Sequence, residues 1–384
     1  MKKTMLAALS AAAFATAAAA FSTAALAEDT VKFADVVEIS GGGAVVGSNW
    51  KNAIDLAVSE INAKGGILGK KIEVTHYDTQ TNPGVARAQV QKALDGDPYV
   101  LFGPVYSGSA IVTQTLAKQN EIPEFTGGEA ANLTEQKNPY IFRTSFGQQF
   151  AMPKIANYMR DGVKAKKIAV FWCNDDFGKG GRDTFIKEAK ARGLEIVADL
   201  SSENGQADFA ADVVKAKGSG ADALFIYLHE EENARLLREI RKQGVTVPLI
   251  GETTLLNQKV IELAGDAANG IKGHVGLSAD APIPEIQAFR KKYEERFKSV
   301  PDHNALKGYI GVYAVKVATE RVGKFDRKAL AEKMKGLKIT AKEEPGILMD
   351  VTWDKNGDLD RISFLAEVIN GQQKITQTLP ALGM

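Results

Sequence analysis

Apolar and polar positions follow two periods that trade places along the chain. Residues 31–39 are mostly apolar and read as a strand. Trp50, Ala53, Ile54, Ala57, Val58 and Ile61 then fall on one face of a 3.6-residue period, and Lys64-Gly65-Gly66 stops that helix. Residues 72–77 read as a strand. Asn82-Pro83 opens a helix whose apolar face is Ala86, Val90, Ala93 and Leu94. A strand at 99–102, a helix from about 109 and a strand at 122–125 follow. A second series repeats the rhythm: strand 167–173, a helix after Gly180-Gly181, strand 194–200, a helix around 209–216, strand 222–228, helix 234–243 and strand 247–251. Alternation of this kind predicts right-handed βαβ units, and its repetition predicts two α/β lobes of similar build. No long Pro/Gly/Ser linker separates them, so short crossings must join them. Beyond about residue 277 the pattern changes. Ile286, Phe289, Tyr293 and Phe297 stripe one helix, and Tyr309, Val312, Tyr313 and Val317 another. Strands at 348–353 and 363–368 flank Asp354-Lys355-Asn356-Gly357-Asp358. This run lacks the sixth-position Gly and closing Glu of a calcium loop and reads as a tight turn.

Composition narrows the function classes. With 384 residues and 45% hydrophobic content the chain can build two domains. A formal charge of +1 argues against nucleic acid or an acidic membrane surface as main partner. Lys2-Lys3, an Ala-rich apolar stretch and Ala25-Leu26-Ala27 form a leader over residues 1–27, which predicts export to the periplasm. Without Lys2 and Lys3, 46 basic residues face 47 acidic ones. The single cysteine, Cys173, lies far from the cleavage site and inside an apolar run. No lipid anchor or internal disulfide is expected, and the thiol reads as buried and inert.

In open parallel sheets ligands bind beyond the carboxyl ends of the strands. Standing there are Gly41-Gly42-Gly43, Tyr106-Ser107, Gly127-Gly128-Glu129, Asn174-Asp175-Asp176-Phe177-Gly178, His229-Glu230-Glu231-Glu232 and Glu252-Thr253-Thr254. The most informative stretch is 99–109: strand, Gly103-Pro104 turn, hydroxyl, helix. The first N–H groups of a helix lack internal partners and carry the positive end of its dipole, and Ser107 adds a hydroxyl for a carboxylate. Ser107 and Ser109 could equally be helix caps. The carboxylates and His229 could form an acid–base pair. No nucleophile elbow, Walker loop, H-E-x-x-H or G-x-G-x-x-G spacing accompanies them, so no enzyme is expected. His229 with Glu230 or Glu231 is a conceivable metal pair, but His76, His274 and His303 show no ligand spacing. No metal or cofactor is expected.

The loop at 40–47, the stretch Ala57-Val58-Ser59-Glu60-Ile61-Asn62-Ala63-Lys64-Gly65-Gly66 with Gly69-Lys70-Lys71, Phe102-Gly103-Pro104-Val105-Tyr106-Ser107, Phe142-Arg143-Thr144, Asn174–Gly178 and Ala264-Gly265-Asp266-Ala267-Ala268 resemble the leucine/isoleucine/valine-binding family of type I periplasmic solute-binding proteins. The resemblance implies two doubly wound α/β lobes joined by a three-crossing hinge, a Venus-flytrap that closes over one small ligand. It implies a first lobe of residues 28–146 and 277–358, and a second of 147–276 and 359–384, with crossings near 144–148, 276 and 358–362. It implies a monomer that delivers an amino-acid-type ligand to ABC permease subunits in the inner membrane. By the same resemblance Ser107, beside Tyr106, holds the ligand carboxylate. Gly127, Gly128 and Glu129 meet the amino-acid head, and Phe177 closes from the second lobe. His229 and Glu230 stand at an aromatic position, and Glu252 or Thr253 at the acid for the ammonium. Tyr106 replaces a disulfide cysteine and Val46 a ligand-facing aromatic. A small aromatic or aliphatic carboxylate as ligand, or a sensory ligand-binding role, are the alternatives.

Overall fold

A computed structural model describes residues 30–383; the leader at 1–27 lies outside the described residues. Strands β1 (Thr30–Val37), β2 (Lys71–Asp78), β3 (Val100–Phe102), β4 (Glu124–Thr126) and β5 (Ile141–Arg143) form one all-parallel sheet in the order β2-β1-β3-β4-β5. Between them run helices α1 (Ala44–Ala63), α2 (Pro83–Leu94), α3 (Ser107–Gln119) and α4 (Asn132–Glu135). The second lobe repeats the plan. Strands β6 (Lys167–Cys173), β7 (Glu195–Ser202), β8 (Ala223–Tyr227), β9 (Leu249–Gly251) and β10 (Lys272–Val275) are parallel in the order β7-β6-β8-β9-β10. They alternate with α5 (Gln148–Asn157), α6 (Asp176–Ala191), α7 (Ala210–Gly218), α8 (Glu230–Lys242) and α9 (Gln258–Ala264). Both sheets therefore reverse winding between their first and third strands, the place where open sheets make a crevice.

The chain leaves the first lobe between β5 and α5. It returns after β10 through α10 (Pro284–Phe297) and α11 (His303–Val322), which pack on α1, followed by α12 (Arg327–Met334). A small antiparallel sheet of β11 (Lys338–Ile339), β12 (Val351–Trp353) and β13 (Leu359–Asp360) follows. The chain then crosses a third time, and β14 (Ser363–Ile369) and β15 (Gln372–Leu379) extend the second sheet antiparallel to β10.

Several elements differ from the sequence-based expectation, each for a local reason. The turn at 354–358 joins β12 to β13; the strand expected at 363–368 belongs to the other sheet, three residues beyond β13. The first helix starts at Ala44, so Val45 and Val46 are helical and only residues 40–43 form the loop. Helix α6 starts at Asp176, ahead of Gly180-Gly181. Asp175 caps it by accepting the Gly178 N–H at 2.9 Å, and the glycines inside it answer close packing rather than a turn. A Cβ on Gly178 would lie 1.9 Å from the Cys173 carbonyl oxygen.

Candidate functional site

The site grows from the turn after β3. Glu38, at the end of the first strand's path, accepts the N–H groups of Val105 at 3.1 Å and Tyr106 at 3.2 Å. That carboxyl is fully buried, and desolvation lifts it to about 7 against the pull of those donors. Ser107 is the first residue of α3, and no side chain caps this helix. The expectation that Ser107 and Ser109 are caps is not met: Ser109 Oγ is buried without a partner, and Ser107 Oγ does something else. It accepts the N–H groups of Glu129 and Ala130, both at 3.1 Å. With two donors pointing at it, the hydroxyl keeps its own proton to give away.

The loop at 127–130 is aimed by what holds its carbonyls. Arg143 is buried in the hinge beside Asp358 at 3.0 Å; it donates to the Gly128 oxygen at 2.5 Å and the Ala130 oxygen at 2.9 Å. Ser145 adds a bond to the Gly128 oxygen at 2.7 Å. With its carbonyls drawn toward the hinge, the loop turns its N–H groups to Ser107. Gly127 lies against Trp50, where a Cβ would meet the indole at 2.9 Å.

Across the crevice the second lobe contributes an aromatic wall. Tyr106 stacks on His229 with ring centroids 4.8 Å apart and planes 5° from parallel. His229 stacks on Phe177 at 5.1 Å, and Phe177 on Tyr227 at 4.2 Å. His229 Nε2 lies 2.6 Å from Asp175 Oδ2. Burial opposes charge on this imidazole, but the Cys173 sulfur and the Asp175 carboxylate outweigh it and lift its pKa well above the ordinary value.

Between the walls lies a small cavity of about 30 Å³. Of the residues expected at a ligand site, Tyr106, Ser107, Gly127, Glu129, Phe177, His229 and Glu230 line it. Three expected residues do not. Gly128 sits behind the loop, its oxygen held by Arg143 and Ser145. Thr253 donates to Glu252 at 2.6 Å, accepts the Gly276 N–H, and faces a neighbouring cavity. Glu252 turns its Oε1 to Thr253 and to His274 at 3.1 Å, leaving Oε2 buried without a partner. Desolvation raises Glu252 to about 7. Thr254, one residue on, lines the cavity instead, and its hydroxyl also lacks a partner.

Sequence reasoning placed a helix at 309–317 but missed that the first turns of α11 belong to the site. Lys307, buried, pairs with Glu129 at 2.7 Å and with the Asn304 oxygen at 3.2 Å; Lys307, Asn304 and His303 all line the cavity. Burial pushes Glu129 up while Lys307 holds it down. Glu129 is thus engaged by a lysine and is not a free acid awaiting an ammonium. The Asp302-His303-Asn304 start of this helix is an N-cap signature that could have drawn attention to its first turn; Asp302 accepts the N–H groups of Asn304 and Ala305. Nothing in the order of residues placed that turn opposite residues 127–129. Glu230 stands on the cavity at the first turn of α8, with no basic partner among the described residues; desolvation brings it to about 7.

The crevice between two like-wound sheets, with a bare helix N-terminus on one wall and aromatic rings on the other, agrees with the family match. The model for a periplasmic binding protein family matches residues 30–373. The chain belongs to that family. The Leu/Ile/Val-binding protein BraC3 of Rhizobium johnstonii is 28% identical over 332 residues, covering 86% of this chain and 89% of that one. A solute-binding protein of an ABC transporter from Rhodopseudomonas palustris BisB5, solved with 3,4-dihydroxybenzoic acid, is 26% identical with a TM-score of 0.83. It covers 93% of this chain and 99% of its own. The leucine-binding protein LivK of Thermotoga maritima shares the fold at a TM-score of 0.83 and 23% identity, covering 91% and 99%. Among the described residues of this periplasmic binding protein, no helix is long and apolar enough to cross a membrane.

Proposed function

We propose that this periplasmic binding protein captures an α-amino acid between its lobes, in the periplasm and as a monomer, and hands it unchanged to the permease subunits of an ABC transporter. The moving bodies are residues 28–146 with 277–358, and 147–276 with 359–384. The observation that carries this reading is the Ser107 hydroxyl, which accepts two N–H groups and keeps its proton for a carboxylate beside the uncapped start of α3. For the other end of the ligand two buried oxygens lack a donor, Thr254 Oγ1 on the cavity wall and Glu252 Oε2, two residues earlier and just behind that wall. An ammonium satisfies both. The ligand touches both walls only when they approach, so binding favours the closed form by the difference in its affinity for the two forms. The curated relative named for leucine, isoleucine and valine supports an amino acid as cargo.

A thermal-shift panel of amino acids, their amides and aromatic carboxylates tests the reading. The expected result is a rise with one or a few α-amino acids and none with their amides. A rise only with carboxylates that lack an amine would overturn it. That outcome would favour the second reading, an aromatic carboxylate slotted beside the Tyr106–His229–Phe177 stack, which the relative solved with 3,4-dihydroxybenzoic acid also supports.

A further inference from the structure

Behind the aromatic wall, and sharing His229 with it, stand two side chains that solute capture does not use, Cys173 and Asp175. Cys173 closes β6, Asp175 follows two residues later, and His229 follows β8. The two strands are parallel neighbours, with Trp172 registered on Tyr227, so their ends hold these residues close together. One ligating atom from each of the three lies within 4.8 Å of the other two. Asp175 Oδ2 is 2.6 Å from His229 Nε2, and Cys173 Sγ is 3.3 Å from Asp175 Oδ1. Cys173 is fully buried, and Asp175 and His229 are partly covered.

We infer that Cys173, Asp175 and His229 form a binding site for a thiophilic divalent cation of the zinc type. Thiolate, imidazole and carboxylate are the donor set zinc takes, at bond lengths of about 2.0–2.3 Å, which puts tetrahedral ligand atoms about 3.3–3.8 Å apart. Cys173 Sγ lies 3.3 Å from Oδ1 of the same carboxylate, and one ligating atom from each of the three residues lies within 4.8 Å of the other two. The imidazole and carboxylate need only part by about 1 Å, replacing the proton they share with a metal. Asp175 need not give up its cap: Oδ1 accepts the Gly178 N–H while Oδ2 faces His229. Helix α6 begins at Asp176 and α8 at Glu230, so two helix N-termini border the cluster. Burial raises the Cys173 thiol above its ordinary range, so the cation must displace the thiol proton as it binds. Three protein donors leave a fourth position for water. The thiol proton is released on binding, as is the proton between His229 and Asp175.

This departs from the sequence reading, which expected no metal, weighed only His229 with Glu230 or Glu231 as a pair, and placed Cys173 in the core as inert. Those acids follow His229 into α8, whereas the topology of the sheet brings Cys173 and Asp175 to it from the neighbouring strand.

The test uses the reduced protein without a histidine tag, titrated with Co²⁺ and then Zn²⁺. The expected result is a one-to-one cobalt complex with a near-ultraviolet thiolate-to-cobalt band that Zn²⁺ abolishes, together with proton release measured calorimetrically in buffers of different ionisation enthalpy. Cys173→Ser removes the band. Asp175→Asn, which still caps α6, weakens cobalt binding at least about tenfold. Absence of the band in the wild type, or cobalt binding in both variants as strong as in the wild type, would overturn the site. Metal-free melting curves of the two variants show that each is folded before it is titrated; should one not fold, the wild-type band and the other variant still decide.

Discussion

Ser107 and Glu252 are complementary at the scale of single atoms: one holds a proton with nowhere inside the protein to place it, the other an oxygen with nothing to accept. Ser107→Ala removes the donor and should weaken amino-acid binding by about 1–3 kcal/mol, the usual loss for a hydrogen bond to a charged group. Calorimetry measures it, and unchanged affinity would remove Ser107 from the carboxylate end. Glu252 adds a pH dependence. Its carboxyl is raised to about 7 by burial, and only its charged form welcomes an ammonium. Below pH 7 binding must first remove a proton, so affinity should fall by roughly tenfold per pH unit toward pH 5. Glu252→Gln should weaken binding at pH 8 and flatten that slope. If the slope survives in the Gln variant, Glu230, which also stands near 7 on the cavity, is the acid concerned.

Elements explain why some of this could be read from the residues and some could not. Eight of the ten strands of the two parallel series were legible, all but β5 and β10, because runs such as 168–171 and 223–227 are buried on both faces and therefore continuously apolar. The loops at the strand ends were legible too, because topology puts them at one edge of the sheet. What stayed hidden depends on tertiary approach. Lys307 lies within a helix whose inward residues after it are mostly apolar, and Arg143 ends a short strand; their roles exist only once residues 127–130 lie between them. Buried acids were hidden for the same reason. Glu124 lies in the middle of the first sheet, bonded to Thr113 at 2.8 Å, and desolvation raises it to about 8. Its folded value lies above the ordinary 4.5, so its contribution to stability is complete below pH 4.5 and is lost as the pH rises through 8. Glu124→Gln should leave the melting temperature at pH 4 nearly unchanged and raise it at pH 9 relative to wild type. Circular dichroism melts at the two values decide this. His76 behaves alike in sign: bound between Asp35 at 2.7 Å and Asp55 at 2.9 Å, it is raised to about 9, so its contribution holds below 6.5 and fades up to pH 9.

The two lobes are in contact, and those contacts decide how tightly the molecule closes. Besides the Tyr106–His229 stack, Gln148 at the start of α5 accepts the Ala131 N–H at 3.1 Å, tying the second lobe to the first. At the far side of the crevice two helix caps meet. Asn257 caps α9 in the second lobe, Asp302 caps α11 in the first, and the Asn257 amide donates to Asp302 Oδ2 at 3.3 Å. Asn257→Asp tests closure without disturbing either lobe. Aspartate caps a helix as well as asparagine does, so α9 keeps its start and the melting temperature without ligand should change little. In the closed form, however, the new carboxylate faces that of Asp302 and the donor between them is gone. The repulsion acts on one of the two forms only, and so it shifts the equilibrium between them. Like charges at such a separation near a protein surface oppose each other by about 1–4 kcal/mol, so solute affinity should fall at least about fivefold. The loss should appear mainly as faster release, because closure traps the solute after it lands. Stopped-flow kinetics give the release rate, and small-angle scattering at saturating solute should still report closure. A variant that binds as tightly as wild type would show that the two caps do not bear on closure, and the energy that holds the lobes together would then lie with the solute and the aromatic stack.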